Sequence, residues 1–261
     1  MKFNYPTKSQ YKIRDPLVIL GNGPSLARVD LDMVRGFDSV GINMAYREFQ
    51  RINFWPKYLA VLDHIIARTH TQDIDALIQQ HIPNSIEAFF ISHVAFQNTQ
   101  LHTSDNVHAM PGATNTRAYP KDTSLQPTFE NLHKTQSAAM AMVEIGMCLG
   151  YKQLVLLGID SHYVAQDRLQ LQQVRGCLGR VVKPELDKNH WFDDYYKVGD
   201  KLWCAPQWKS IGYKRMMAVW GYLKTYADAH DVEIVNGNPG SAVKNFPIMA
   251  WQEALQYFMV K

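Results

Sequence analysis

Paired cysteines are missing from these 261 residues: Cys148, Cys177 and Cys204 stand far apart and odd in number. That excludes a disulfide framework and a zinc ribbon, which need closely spaced partners or ligands. An excess of one charge is missing too. With 27 Lys and Arg against 24 Asp and Glu, the formal net charge of +3 is too even to argue for nucleic acid or a strongly anionic membrane surface. No apolar window reaches the length of a membrane span, and Met1-Lys2-Phe3-Asn4-Tyr5-Pro6 holds no signal-peptide run. The expectation is a cytoplasmic protein without a transmembrane segment, peripheral membrane contact being left open. What is present is ordinary globular material, 46% hydrophobic and 11% aromatic, enough to bury a substantial core.

Leu17-Val18-Ile19-Leu20 is a short continuous apolar run ending in glycines and a proline, the form of a buried parallel strand feeding a tight turn. Residues 39–43, 58–63, 86–92, 153–160 and 232–236 read as further strands. Residues 26–37, 73–81, 208–230 and 251–260 read as helices. Another helix starts at Ser137 and stops at Gly150. Between them lie two stretches without a period, 93–134 and 161–206, and irregular segments of that length are more often functional than idle. The alternation predicts an α/β fold, with a single doubly wound, mostly parallel, Rossmann-like sheet. One nucleotide-binding domain over residues 1–261, with a lid at approximately 161–206, is the economical organisation.

Gly21-Asn22-Gly23-Pro24-Ser25 can turn sharply and present backbone N–H groups to an anion at a helix N-terminus. It is not a dinucleotide fingerprint, because Leu26 stands where the third glycine would be, and no Lys follows to make a P-loop. The plain alternative is a strand-to-helix turn with Ser25 as N-cap. Asn43, Asp63 and Asp160 each end a core strand, so on a parallel sheet they share one edge with that turn. There they either meet a nucleotide or cap the next helix. Asn189-His190-Trp191-Phe192-Asp193-Asp194-Tyr195-Tyr196 offers a histidine among aromatics and acids, a candidate general base. His162, beside Asp160, competes for that role. The Asp193-Asp194 pair could hold a metal, although adjacent acids in a loop are usually solvated.

Leu20-Gly21-Asn22-Gly23-Pro24-Ser25-Leu26, the Asn43 strand end, Leu149-Gly150-Tyr151-Lys152, Leu157-Gly158-Ile159-Asp160 and Asn189-His190-Trp191 together resemble the bacterial sialyltransferases of the Campylobacter type, glycosyltransferase family 42. Order and spacing agree, and coverage runs from about residue 17 to 248. The Gly-Pro-Ser-Leu turn and the stretch from His190 to Gly240 also resemble a broader group, the domain shared by motility accessory factors and the archaeal pterin pyrophosphokinase. The resemblance implies that Gly21, Asn22, Gly23, Pro24 and Ser25 hold the phosphate and sugar side of a cytidine nucleotide and that Asn43 binds it. It also implies that Gly158, Asp160 and His162 belong to the same site. Asp63 falls where the family has an asparagine, and Ser137 lies near its Thr-Ser pair. His190 matches the family's base, while Tyr163, one position displaced, joins Tyr195 and Tyr196 as phosphate donors.

The implied activity is transfer of sialic acid or a related keto-sugar from a CMP-activated donor to a glycan hydroxyl, with no cofactor and no metal. Two readings compete. One is pyrophosphoryl transfer from ATP to a hydroxymethyl pterin, with Mg²⁺ on Asp63 and Asp160. The other is a non-catalytic nucleotide-binding protein, favoured by departures at Gln136 and His162. The implied partners are the nucleotide-sugar donor and the glycan acceptor, with homo-oligomerisation open.

Overall fold

The computed structural model describes residues 5–7, 9–81, 85–97, 101–111, 123–124, 126–129, 132–133, 135–162, 170–175, 178–183, 188–203 and 211–259. Seven strands build a fully parallel sheet: β1 (Leu17–Leu20), β2 (Asp38–Ile42), β3 (Tyr58–Val61), β4 (Ala88–Ser92), β5 (Val107–Met110), β6 (Gln153–Leu157) and β10 (Glu233–Asn236). Their spatial order is β10-β6-β1-β2-β3-β4-β5. The chain winds outward from β1 to β5, then returns to lay β6 against the other side of β1. The winding therefore reverses between β1 and β6, and in open α/β sheets ligands bind beyond the carboxyl ends of the strands at such a point.

The apolar runs are strands because both sheet faces are covered. Leu17 and Ile19 pack in one buried cluster with α4 (Ala138–Leu149) and α5 (Ile211–Ala229). Val18 and Leu20 pack on the opposite face with Leu26, Val34, Phe49 and Leu255. Leu154 and Leu156 alternate with Val155 and Leu157 in the same two clusters, the period of two that a strand imposes. All twelve residues of α4 are buried, and the helix ends at Gly150 with φ +108°. The remaining helices are α1 (Tyr46–Arg51), α2 (His64–Thr69), α3 (Thr71–His81) and α6 (Trp251–Gln256).

Three expectations are corrected. Residues 26–37 form two 3-10 turns, Pro24–Arg28 and Leu31–Val34, instead of one helix, and the N-cap of the first is Gly23, not Ser25. The stretch 93–134 holds the edge strand β5. The stretch 161–206 holds a second sheet, antiparallel, of β7 (Gln170–Arg175), β8 (Leu178–Lys183) and β9 (Lys201–Trp203). In β7 only Leu171 and Val174 interrupt the polar residues, so no apolar period announced it. No helix among the described residues is long and apolar enough to cross a membrane.

Candidate functional site

At the reversal point the ends of β1 and β6 lock together. Gly21 N–H donates to the Leu157 carbonyl at 2.7 Å, and Gly23 N–H to the Gly158 carbonyl at 2.9 Å. The glycines are needed for this approach: a Cβ on Gly21 would lie 2.4 Å from the Gly158 oxygen, and one on Gly23 1.9 Å from Asp160 Oδ2. Gly158 supplies the turn on the facing strand with φ +68°. Asp160 then enters the N-terminus of the 3-10 turn that Pro24 opens. Its Oδ2 accepts from Ser25 Oγ at 2.7 Å and Ser25 N at 3.2 Å, and its Oδ1 accepts from Asn238 Nδ2 at 3.1 Å. The anion held by this turn is thus the chain's own carboxylate. Of the turn's backbone donors, the N–H groups of Gly21, Gly23 and Ser25 are engaged within the fold.

What the turn offers outward is Asn22. Its Nδ2 donates to the Ile42 carbonyl at 2.9 Å and to the Tyr195 hydroxyl oxygen at 3.2 Å, and its backbone carbonyl accepts from Trp191 N–H at 3.2 Å. Ile42 O can only accept, so the amide orientation is fixed and Oδ1 is left as a buried acceptor without a partner among the described residues. This one residue ties the first turn to β2 and to the loop carrying His190.

In that loop His190 lies face to face with Tyr195, ring centroids 3.6 Å apart and planes 3° from parallel, while Tyr196 stands edge-on at 5.3 Å. Tyr195 is buried, and Tyr196 packs against Val181 and Leu202 of the second sheet. Asp193 and Asp194 are exposed. No group of three or more His, Cys, Asp or Glu among the described residues is arranged to hold a metal.

Among the described residues, the other sequence candidates lie at strand ends, at helix caps and in the loop after β6. Asn43 has φ +50°, and its Oδ1 accepts from Leu62 N and Asp63 N at 3.2 Å each, joining the ends of β2 and β3. Asp63 caps α2, its Oδ1 accepting from Ile65 N at 2.8 Å and Ile66 N at 3.0 Å. Ser137 caps α4 through Met140 N at 3.3 Å. His162 is exposed, with Nδ1 3.1 Å from the Asp160 carbonyl oxygen. Tyr163 lies outside the described residues.

Two clusters escaped the sequence reading. His64, at the end of β3, shares a 2.8 Å hydrogen bond with Ser92 at the end of β4, and its ring stands edge-on to His93 at 5.7 Å. Burial, aided by His93, lowers the His64 pKa and keeps the ring neutral near pH 7. The second is Arg47 on α1, whose Nη1 donates to Asp200 Oδ2 at 2.7 Å and to the Tyr195 carbonyl at 2.8 Å. Burial works against the guanidinium charge, but the hydrogen bond and attraction of Asp200 outweigh it and raise the pKa further. His64 and His93 each follow a strand end, which was the available signal. Nothing near Arg47 in the chain announced its partner.

No protein-family model and no curated protein matches the chain. Solved structures do. The sialyltransferase CstII from Campylobacter jejuni, in complex with the substrate analogue CMP-3FNeuAc, is similar with TM-score 0.50 and 17% identity, covering 91% of this chain and 86% of that one. The MAf glycosyltransferase from Magnetospirillum magneticum AMB-1 is similar with TM-score 0.51 and 14% identity, covering 92% of this chain and 34% of that one. The chain thus spans about a third of the Magnetospirillum protein. At these identities the likeness establishes the fold.

Proposed function

We propose that the chain is a glycosyltransferase taking a sugar, sialic acid or a related keto-sugar, from a CMP-activated donor to a glycan hydroxyl. One observation carries the reading: Asn22 fastens the β1 turn at the sheet's reversal point to the backbone of Trp191 and the hydroxyl of Tyr195. A candidate base is thereby held beside the crevice where a nucleotide belongs in such a fold. The similarity to a sialyltransferase solved with a CMP-sugar analogue supports the choice of nucleotide.

In this reading Asn22 and Asn43 meet the nucleotide, while Ser25, Gly158 and Asp160 form the rigid wall behind it. A nucleoside monophosphate leaving group develops less charge than a diphosphate, so hydrogen-bond donors suffice and no metal is required. Tyr196 and Tyr163 are the proposed donors, with Tyr195 serving chiefly as the platform under His190. A keto-sugar leaves through an oxocarbenium-like transition state. The protein's work is then to position the acceptor hydroxyl and take its proton, which falls to His190. The region at approximately 161–206 is the proposed lid that would exclude water, since donor hydrolysis is the competing reaction. The pyrophosphokinase alternative loses ground, because Asp63 and Asp160 are each committed to hydrogen bonds within the fold.

Thermal denaturation with a nucleotide panel tests the reading. CMP is expected to raise Tm equally with and without EDTA, as a ligand selective for the native state must. A rise only with ATP and Mg²⁺ would replace it by the pyrophosphokinase.

A further inference from the structure

We infer that Arg47 is a positioning residue for His190, setting its ring through the backbone and ring of Tyr195; the inference rests on His190 being the base. The His190 loop has little secondary structure of its own between residues 188 and 200, so its geometry must come from outside. Asn22 holds its start, through Trp191 N–H and the Tyr195 hydroxyl. Arg47 holds its middle and its end. Nη1 donates to the Tyr195 carbonyl at 2.8 Å and to Asp200 Oδ2 at 2.7 Å, and Nη2 reaches Asp200 Oδ1 at 3.4 Å. Asp200 Oδ2 in turn accepts from Lys197 N–H at 2.8 Å, closing the turn that precedes β9. On the far side of Asp200, His70 Nε2 stands 3.3 Å from Oδ1 without an aligned hydrogen bond, and His70 Nδ1 lies 3.3 Å from Asp73 Oδ2.

Both side chains of the central pair are sequestered, with 11% of Arg47 and 9% of Asp200 exposed. An ion pair so placed is held in one geometry, unlike a surface pair that samples many. The consequence passes through two contacts. The clamp fixes the Tyr195 backbone, and the Tyr195 ring lies 3.6 Å beneath His190 and nearly parallel to it. A displacement of Tyr195 therefore moves the imidazole relative to any acceptor hydroxyl. Asp200, not the Asp193-Asp194 pair inside the loop, is the acid that matters.

A stability role and a positioning role separate in one pair of variants. Arg47→Met alone leaves the buried Asp200 carboxylate without its guanidinium partner, so it is expected to lower Tm. Arg47→Met combined with Asp200→Asn removes both charges and restores most of that stability. The double variant still lacks the bond to the Tyr195 carbonyl. CMP release from CMP-N-acetylneuraminate, with water as acceptor, is expected to keep a kcat ~10–100-fold below the parent while KM stays within ~3-fold, since misplacement by about 1 Å costs that order of rate. In histidine-selective NMR, the upfield ring-current shift that Tyr195 imposes on the His190 carbon-bound protons is expected to shrink in the double variant. That measurement needs neither donor nor turnover.

Recovery of kcat together with Tm would make the clamp structural and overturn the inference. So would an unchanged His190 shift. A parent chain that shows the stacked His190 signal but neither binds CMP nor releases it from the donor would instead overturn the transferase reading.

Discussion

Replacing Gly23 with alanine puts a Cβ 1.9 Å from Asp160 Oδ2 and 2.8 Å from the Gly158 carbonyl oxygen. The second contact is backbone within the β1–β6 lock, so relief must come mainly from the carboxylate. To reach ordinary contact, Oδ2 has to retreat from 1.9 Å to about 3.4 Å, which pulls it off both Ser25 Oγ and Ser25 N, now at 2.7 and 3.2 Å. Hydrogen bonds to a charged acceptor contribute about 1.5–3 kcal/mol each, and the carboxylate stays mostly buried after they break. The expected loss is therefore ~3–6 kcal/mol, which for a chain of this size lowers Tm by roughly 6–24 °C. Differential scanning calorimetry with a urea titration measures it. Gly36→Ala is the control, because a Cβ there meets nothing within 4 Å, and it should stay within ~0.5 kcal/mol. A Gly23→Ala protein destabilised by less than ~1 kcal/mol would mean that Asp160 does not fill the turn, and the assignment of the turn's donors would fail with it.

His190→Ala is expected to cut CMP release from the donor by ~10²–10⁴-fold while the CMP-induced rise in Tm persists, the range a general base supplies; equal loss of CMP binding would make His190 part of the nucleotide pocket instead. Asp63→Ala should cost ~1–2 kcal/mol in a denaturant titration, because one oxygen caps two backbone donors, whereas Asp63→Asn should recover most of that with CMP affinity unchanged. A fall in CMP affinity in the Asn variant would move Asp63 into the site. His64 and His81 are both held below the ordinary histidine value, chiefly by burial. The unfolded chain therefore takes up protons first as pH falls through 6.5, so stability is complete above that pH and declines towards the depressed folded values. His64→Gln should flatten this slope in Tm measured between pH 7 and pH 5.5, and a slope unchanged from the parent refutes the assignment.

Much of the fold was legible because its signals are local. Leu17-Val18-Ile19-Leu20 and Gln153-Leu154-Val155-Leu156-Leu157 are apolar enough to require cover on both faces, and strands with that need build parallel sheets. Asp63 and Ser137 announced themselves as residues that end strands or start helices, and they cap α2 and α4. The edge strand β5 and the antiparallel pair of β7 and β8 were not legible, since β5 is only four residues long and β7 carries only Leu171 and Val174 among polar residues. The His190 loop stood out by composition, but its attachment did not.

By itself, then, the sequence determined the alternation of strands and helices, the sharp turn after β1 and the presence of a histidine in an aromatic loop. These depend on residues within a few positions of one another. Only the tertiary structure decided what those features do. The reversal between β1 and β6 brings Asp160 to Ser25 across 135 positions, so the turn is filled from within and Asn22 becomes its outward face. The same folding brings Asp200 to Arg47 across 153 positions, giving the loop its anchor. Contacts at that separation leave no period or spacing in the chain, because the intervening residues are set by their own local packing and not by the pair they connect.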